Sequence, residues 1–346
     1  MLRWFAVGVY EDSVCRTKDI VTRSLVNNWQ TSNMKKISNL AVEKKLLLML
    51  GASAFFVFAF SENANSQVTS TTNIESSTEA LLEKHAMLKP QLTQNIYHRP
   101  LVFESVENAD TVSSAVYAVL DSPFSVVSAT FKKPNLWCEV LILHLNTKYC
   151  HSSSEAVKPA KLVVNIGKKT PQPLAETFLL EFSHHVTAES AKYLSVELHA
   201  NKGPLNTTDY QLQLRAVPLP DGKTFINLRY SYGYGLAGKL AMQTYLSTLG
   251  RGKVGFTKLT SGEKSAYVGG MRGAVERNTM RYYLAMEAYL ASLKQSPVQL
   301  PEARLQYWFD ATEEYALQLR EVDRSSYMAM KKDEYQRQQN IPLGFR

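Results

Sequence analysis

Between Leu141 and Tyr232 the chain repeats one period, and that period is two. Leu141, Leu143, Leu145, Thr147 and Tyr149 alternate with Ile142, His144, Asn146 and Lys148. Lys161 to Ile166 is a short second segment. Phe178, Leu180, Phe182, His184 and Val186 then share one side of a third, with Glu181, Ser183 and His185 on the other. Leu194 to His199, Tyr210 to Arg215 and Ile226 to Tyr232 repeat the pattern, and Pro220-Asp221-Gly222 marks a turn. Successive side chains of a strand point to opposite faces. Consecutive segments of this kind, joined by short turns, predict an antiparallel meander with one dry face.

The flanks read differently. Thr111 to Leu120 is rich in β-branched residues and predicts a strand, which Asp121-Ser122-Pro123 ends. Phe124 to Phe131 and Pro134 to Glu139 predict two short helices. After Tyr232 the period becomes helical. Leu236 to Leu249 is a helix and Gly250 to Gly270 a glycine-rich loop. Met271, Val275, Asn278, Tyr282, Ala285, Met286 and Tyr289 then follow 3.6-residue spacing, a helix of about 24 residues ending near Pro297. Pro301 opens another, with Leu305, Trp308, Phe309, Thr312, Tyr315 and Leu319 as its stripe and a charged continuation to Gln339. The expected class is α+β: a curved antiparallel sheet wrapped around the long amphipathic helix, plus an extra C-terminal helix. A sheet wrapped on one helix need not fill the space between them, so a cavity is the natural product.

Gly233-Tyr234-Gly235-Leu236-Ala237-Gly238 spells GxGxxG. As a dinucleotide site it needs a parallel βαβ unit and an acidic residue about 20 positions on. Here the preceding strand ends an antiparallel meander, and Val254-Gly255-Phe256-Thr257-Lys258 offers no acid. The glycines read as a strand-to-helix corner. No cofactor is expected.

No GxSxG, HExxH, paired CxxC or Walker loop occurs. His184 and His185 are adjacent on one strand and point apart, so they cannot share a metal, and no metal site is expected. The candidate cavity lining is Phe178, Leu180, Phe182, His184, Leu212, Leu214, Leu228, Tyr230, Asn278 and Tyr282. His184 is either a core histidine with one hydrogen bond or a polar anchor for a ligand. Asn278 needs partners from the sheet or from a ligand. Arg272, Arg277 and Arg281 with Glu276 read as a solvated face with local ion pairs. The alternative is that Arg277 and Arg281 meet a ligand carboxylate or phosphate at the cavity mouth.

Ser113–Val140, "SSAVYAVLDSPFSVVSATFKKPNLWCEV", and Gly269–Leu293, "GGMRGAVERNTMRYYLAMEAYLASL", resemble the START/Bet v 1-like helix-grip superfamily in element order and loose sequence. The resemblance runs from Thr111 to about Leu293. It implies a helix-grip fold with a ligand cavity. The insertion from Leu236 to Gly270, the helix after Pro301 and the export signal depart from that pattern and leave the ligand class open. The whole chain is also similar to exported proteins of Gram-negative bacteria.

Residues 34–66 read as a secretory signal. Met34-Lys35-Lys36 opens a basic region, Leu46 to Phe60 is an uncharged apolar run of 15 residues, and Ala64 and Ser66 have the spacing of a cleavage site. Cleavage after Ser66 is expected, with an uncleaved anchor as the rival. Residues 1–33 read as an over-extended start. The remainder divides into a linker and short helix over 67–100, a helix-grip domain over 101–296 and a C-terminal helical extension over 297–346. The full chain has 39 Lys/Arg and 31 Asp/Glu; removing 8 and 5 of these with residues 1–66 leaves 31 and 26, a net +5. No basic run suits a nucleic acid. Cys138 and Cys150 would remain, and in an oxidising compartment a disulfide between them is expected.

Three functions follow. The first is periplasmic, non-catalytic binding of a hydrophobic or amphipathic, lipid-like small molecule. The second is a cyclase or hydrolase on the same scaffold, with His184 and a tyrosine as acid and base. The third is an assembly role through the 301–339 helix.

Overall fold

A computed structural model describes residues 64–154, 159–248, 252–261 and 264–340. The N-terminal extension and the signal stretch up to residue 63 lie outside the described residues. The alternating segments build one antiparallel sheet. Its strands are β1 (Leu101–Glu107), β2 (Thr111–Leu120), β3 (Thr147–Ser152), β4 (Ala160–Ile166), β5 (Phe178–Glu189), β6 (Leu194–Lys202), β7 (Thr207–Pro218) and β8 (Thr224–Tyr234). Their order across the sheet is β1-β2-β8-β7-β6-β5-β4-β3. After β2 the chain crosses to the far edge through two short helices and returns strand by strand until β8 pairs with β2. Register shifts in the β3–β4, β5–β6 and β7–β8 pairs bend the sheet.

The crossover helices preceding β3, α2 (Phe124–Phe131) and α3 (Pro134–Leu141), start where Pro123 and Pro134 permit. Trp137 Nε1 donates to the Phe131 carbonyl at 2.8 Å and locks them together. Here one expectation is corrected. Residues 141–146 are not strand: α3 ends at Leu141, and the His144 and Thr147 N–H groups donate to Leu141 and His144 carbonyls at 3.1 and 3.0 Å. Leu141 to Leu145 are all buried. The alternation in the sequence arises in a turn enclosed on every side, not from a pleat. The Cys138–Cys150 disulfide joins α3 to β3 across 12 residues, with Cα atoms 5.1 Å apart. By the chain-entropy account a loop of that length contributes about 3 kcal/mol.

The long helix lies in the bend of the sheet. Past β8 come α4 (Leu236–Ser247), a hairpin of β9 (Lys258–Ser261) and β10 (Lys264–Tyr267), and α5 (Gly270–Ser292). The expected glycine loop therefore contains a small hairpin. Helix α5 buries Val275, Met280, Leu284 and Met286 against the inner face of the sheet, which presents Val112, Val116, Leu212, Leu214 and Leu228. The glycine hexapeptide sits at the β8-to-α4 corner. A Cβ on Gly238 would meet the Asn206 and Leu205 carbonyls at 3.1 and 3.3 Å, so glycine lets α4 close on that turn.

The outer face is not bare. Residues expected as a linker with a short helix form one helix, α1 (Ala64–Thr93). Its Leu81, Leu88 and Leu92 pack with Val102, Tyr193, Val217 and Phe225 in a second cluster behind the sheet. Sequence alternation missed this because the outward positions of β7 and β8 mix apolar with polar residues.

The tail after Pro301 is part of the body. It forms α6 (Leu300–Glu313), α7 (Ala316–Leu319) and α8 (Arg324–Asn340), where the sequence suggests one helix. Asp323 restarts the chain: its carboxylate accepts from Ser326 N–H at 2.9 Å and from both Ser325 and Ser326 hydroxyls, which hold its pKa well below the carboxylate range. Trp308 is 1% exposed; it donates to the Arg281 carbonyl at 3.1 Å and stacks on Tyr327. This cover also revises the arginines of α5. Arg277 and Arg281 are buried, not solvated; Arg281 Nη2 donates to Glu321 at 3.0 Å and to the Leu319 carbonyl at 3.2 Å, both beneath the tail.

Candidate functional site

Sheet and helix do not fill the space between them. A cavity of about 210 Å³ lies between β4–β8, α5, α4 and the turn after α3. Val164, Ile166, Leu180, Phe182, Leu198 and Leu212 supply its apolar wall, and Met242 of α4 closes one side. Its polar members are His144, Asn146, Thr147, Tyr210, Tyr230, Asn278 and Tyr282.

Of the sequence candidates, Leu180, Phe182, Leu212, Tyr230, Asn278 and Tyr282 line this space. The other four do not. Phe178 is the first residue of β5, at an end open to solvent, and is 53% exposed. Leu214 and Leu228 face each other in the β7–β8 pair and are wholly buried in the packed core under α5. His184 lies on the Phe182 side of β5, opposite Ala160 and Leu198 and buried, but is not a cavity residue. The His184–tyrosine acid–base pair is therefore not assembled at the cavity.

The sequence candidates omit Val164, Ile166, Leu198, Tyr210 and Met242, and also His144, Asn146 and Thr147, whose turn imitated a strand. The tail holds that turn in place. Tyr327 Oη donates to the Leu143 carbonyl at 3.0 Å, Lys148 Nζ to Leu145 at 3.0 Å and Lys331 Nζ to Thr147 at 2.7 Å. Lys148 and Lys331 both donate to Glu334, at 3.0 and 2.7 Å, and all three side chains are buried. Three carbonyls of the turn are thus anchored by α8 and its ionic partner on β3.

The turn in turn fixes the histidine. The Asn146 N–H donates to His144 Nδ1 at 3.1 Å, so the neutral ring carries its proton on Nε2. The ring packs on Tyr282 at 5.0 Å. Burial first, then the positive charges of Arg281, Lys331 and Lys169, push its pKa well below the ordinary histidine value, and the Asn278 side chain opposes this weakly. His144 is therefore a neutral donor near pH 7. His144 Nε2 and Thr147 Oγ1 are buried and make no hydrogen bond of normal geometry with the described residues. Asn278 Oδ1 accepts a long bond, 3.5 Å, from Arg281.

The tyrosines form a connected wall. Tyr210 meets Tyr230 at 6.1 Å between centroids, and Tyr230 meets Tyr282 edge-on at 5.3 Å. Burial pushes Tyr210 up to about 12 and raises Tyr230 and Tyr282 as well, so all three stay protonated. Tyr210 Oη shares a 2.7 Å hydrogen bond with Thr207. No lining residue carries a formal charge at neutral pH.

Among the described residues no helix is long and apolar enough to cross a membrane. Nor do three or more His, Cys, Asp or Glu side chains gather where they could hold a metal ion. No protein-family model matches the chain, and no curated protein matches it. Solved structures do. A START superfamily protein from Mycobacterium smegmatis is 11% identical over 54% of this chain and 99% of its own, at a TM-score of 0.33. Human StAR-related lipid transfer protein 5 is 11% identical over 65% and 99%, at 0.32. Truncated norcoclaurine synthase from Thalictrum flavum is 12% identical over 42% and 91%, at 0.29. The strand order, the paired crossover helices and the helix lying in the bent sheet give this chain a helix-grip architecture of the α+β class.

Proposed function

We propose that this protein binds a small hydrophobic or amphipathic molecule in the cavity between the sheet and α5, without catalysis, and that it does so in the periplasm after export. The observation that carries the reading is an apolar space of about 210 Å³ with a cluster of neutral hydrogen-bonding groups on one side. Such a pattern of apolar walls and few placed polar groups is that of a ligand pocket.

Volume limits the guest. An apolar cavity of about 150 Å³ takes benzene, so this one suits a single substituted ring or a short acyl chain. A two-chain lipid would require α4 to move aside. Burying roughly 150 Å² of a ring at about 25 cal/mol per Å² gives about 4 kcal/mol before binding costs. Apolar contact alone therefore supports only millimolar affinity, and the polar cluster must supply the rest.

The test uses purified protein, native mass spectrometry for any retained guest, and NMR titration with indole. The expected result is saturable binding that disappears in Leu212→Trp, which fills the cavity, while the circular dichroism spectrum is kept. Absence of both a retained guest and saturable indole binding contradicts the proposal.

A further inference from the structure

The polar side of the cavity holds two hydrogen-bonding groups left without a bond of normal geometry. His144 Nε2–H and the Thr147 hydroxyl are both more than nine-tenths buried, line the cavity and make no normal hydrogen bond with the described residues. Nδ1 of the ring is already occupied by the Asn146 N–H, so His144 cannot turn an acceptor inward without losing that bond. Asn278 stands beside them with its oxygen toward Arg281. A guest that satisfies this cluster must bring acceptor oxygens.

The charges behind the wall have one sign in excess. Lys331 and Lys148 bond the turn that carries Thr147 and share Glu334. Arg281, Lys169 and Lys253 share Glu321, at 3.0, 2.6 and 3.4 Å. Five cations against two carboxylates leave +3 around this end (5 − 2 = 3), while no acidic residue lines the cavity. Burial first, then the charge of Arg281, push Lys169 down to about 8 against the opposing pull of Glu321.

We propose that the guest is a small organic carboxylate, its oxygens accepting from His144, Thr147 and Asn278 and its apolar body lying against Leu180, Phe182 and Leu212. This deepens the ligand-binding reading and rests on it. A buried carboxylate is tolerated only when hydrogen-bonded and matched by positive surroundings, and this end supplies both. A neutral alcohol of the same size would use the donors and gain little from the field. An ammonium would be repelled by the field and would leave the donors unsatisfied.

The experiment compares benzoate, benzyl alcohol and benzylammonium by NMR titration of the full chain at pH 7 and low salt. Benzoate is expected to bind at least tenfold more tightly than benzyl alcohol, and benzylammonium more weakly than either. Lys169→Met removes charge without touching the cavity wall. It should weaken benzoate severalfold and leave benzyl alcohol unchanged; Thr147→Val removes a donor that both probes use and should weaken both, benzoate the more. Equal affinity for benzoate and benzyl alcohol, or preference for benzylammonium, overturns the carboxylate assignment while the cavity reading stands. Failure of all three probes to bind overturns both. Should a variant fold poorly, the order of the three probes on the unmodified protein decides.

Discussion

Glu334→Gln should unsettle both the fold and the site. The carboxylate is 2% exposed and is shared by two fully buried ammonium groups, Lys148 and Lys331. Replacing it with an amide leaves two cations in a dry enclosure with no counter-charge. Breaking a buried ion pair costs about 3–5 kcal/mol. Part of that is relieved by loss of a proton: burial already pushes Lys331 down to about 8, so near pH 7 the ammonium sheds its proton at modest cost even with Glu334 present. We therefore expect a loss near the lower bound, about 3 kcal/mol at pH 7, or roughly 6–12 °C in melting temperature. The sign with pH follows. The folded lysine pKa lies below its unfolded value, so the unfolded state holds more protons and stability rises as pH increases from 7 to 9. The variant should rise more steeply than the parent. Urea unfolding followed by fluorescence of the buried Trp137 and Trp308 reads the effect. Lys331→Met leaves one neutral pair and should cost only about 1 kcal/mol, for the Thr147 carbonyl that loses its donor. A Glu334→Gln variant within about 0.5 kcal/mol of the parent, or a Lys331→Met variant equally damaged, refutes this reasoning.

Three further outcomes are expected. Acidification below the unfolded histidine pKa, about 6.5, should destabilise the protein by up to about 1.4 kcal/mol per pH unit through His144, which faces Arg281, Lys169 and Lys331 and resists protonation when folded; His144→Gln should flatten that part of the pH–stability curve. Replacing Cys138 and Cys150 together by serine should cost about 3 kcal/mol in urea unfolding, and an unchanged midpoint would mean the bond is not formed in solution. Exported protein should begin at Gln67 on N-terminal sequencing; recovery of the intact 34–66 stretch from membranes would favour the anchor instead.

Much of the fold was legible because burial writes itself into period. Thr111–Leu120 is a strand over those same residues, and the switch to 3.6-residue spacing after Met271 locates the gripped helix. Three features escaped for separate reasons. The turn around His144 is enclosed on all sides, so its alternation carried no information about facing. Helix α1 has a composition rich in Ser, Thr and Asn, and owes its place to Leu81, Leu88 and Leu92 packing behind the sheet rather than to intrinsic preference. The tail breaks near Asp323 through a cap that a run of charged residues conceals. The site followed the same logic. Leu180, Phe182 and Leu212 were found by face, yet facing inward does not separate a cavity wall from a packed core, and Leu214 and Leu228 fell on the wrong side of that distinction. His144 and Thr147 depend on contacts with α8 some 180 positions later, which no local pattern records.

The account stands on a largely apolar space that admits a guest. Crystals of the protein soaked with bromobenzene test this most directly through the anomalous signal of bromine. A single bromine site bounded by Leu180, Phe182, Leu212 and Tyr230 is the predicted result. Side chains filling that volume, with bromine absent or only on the surface, would contradict it.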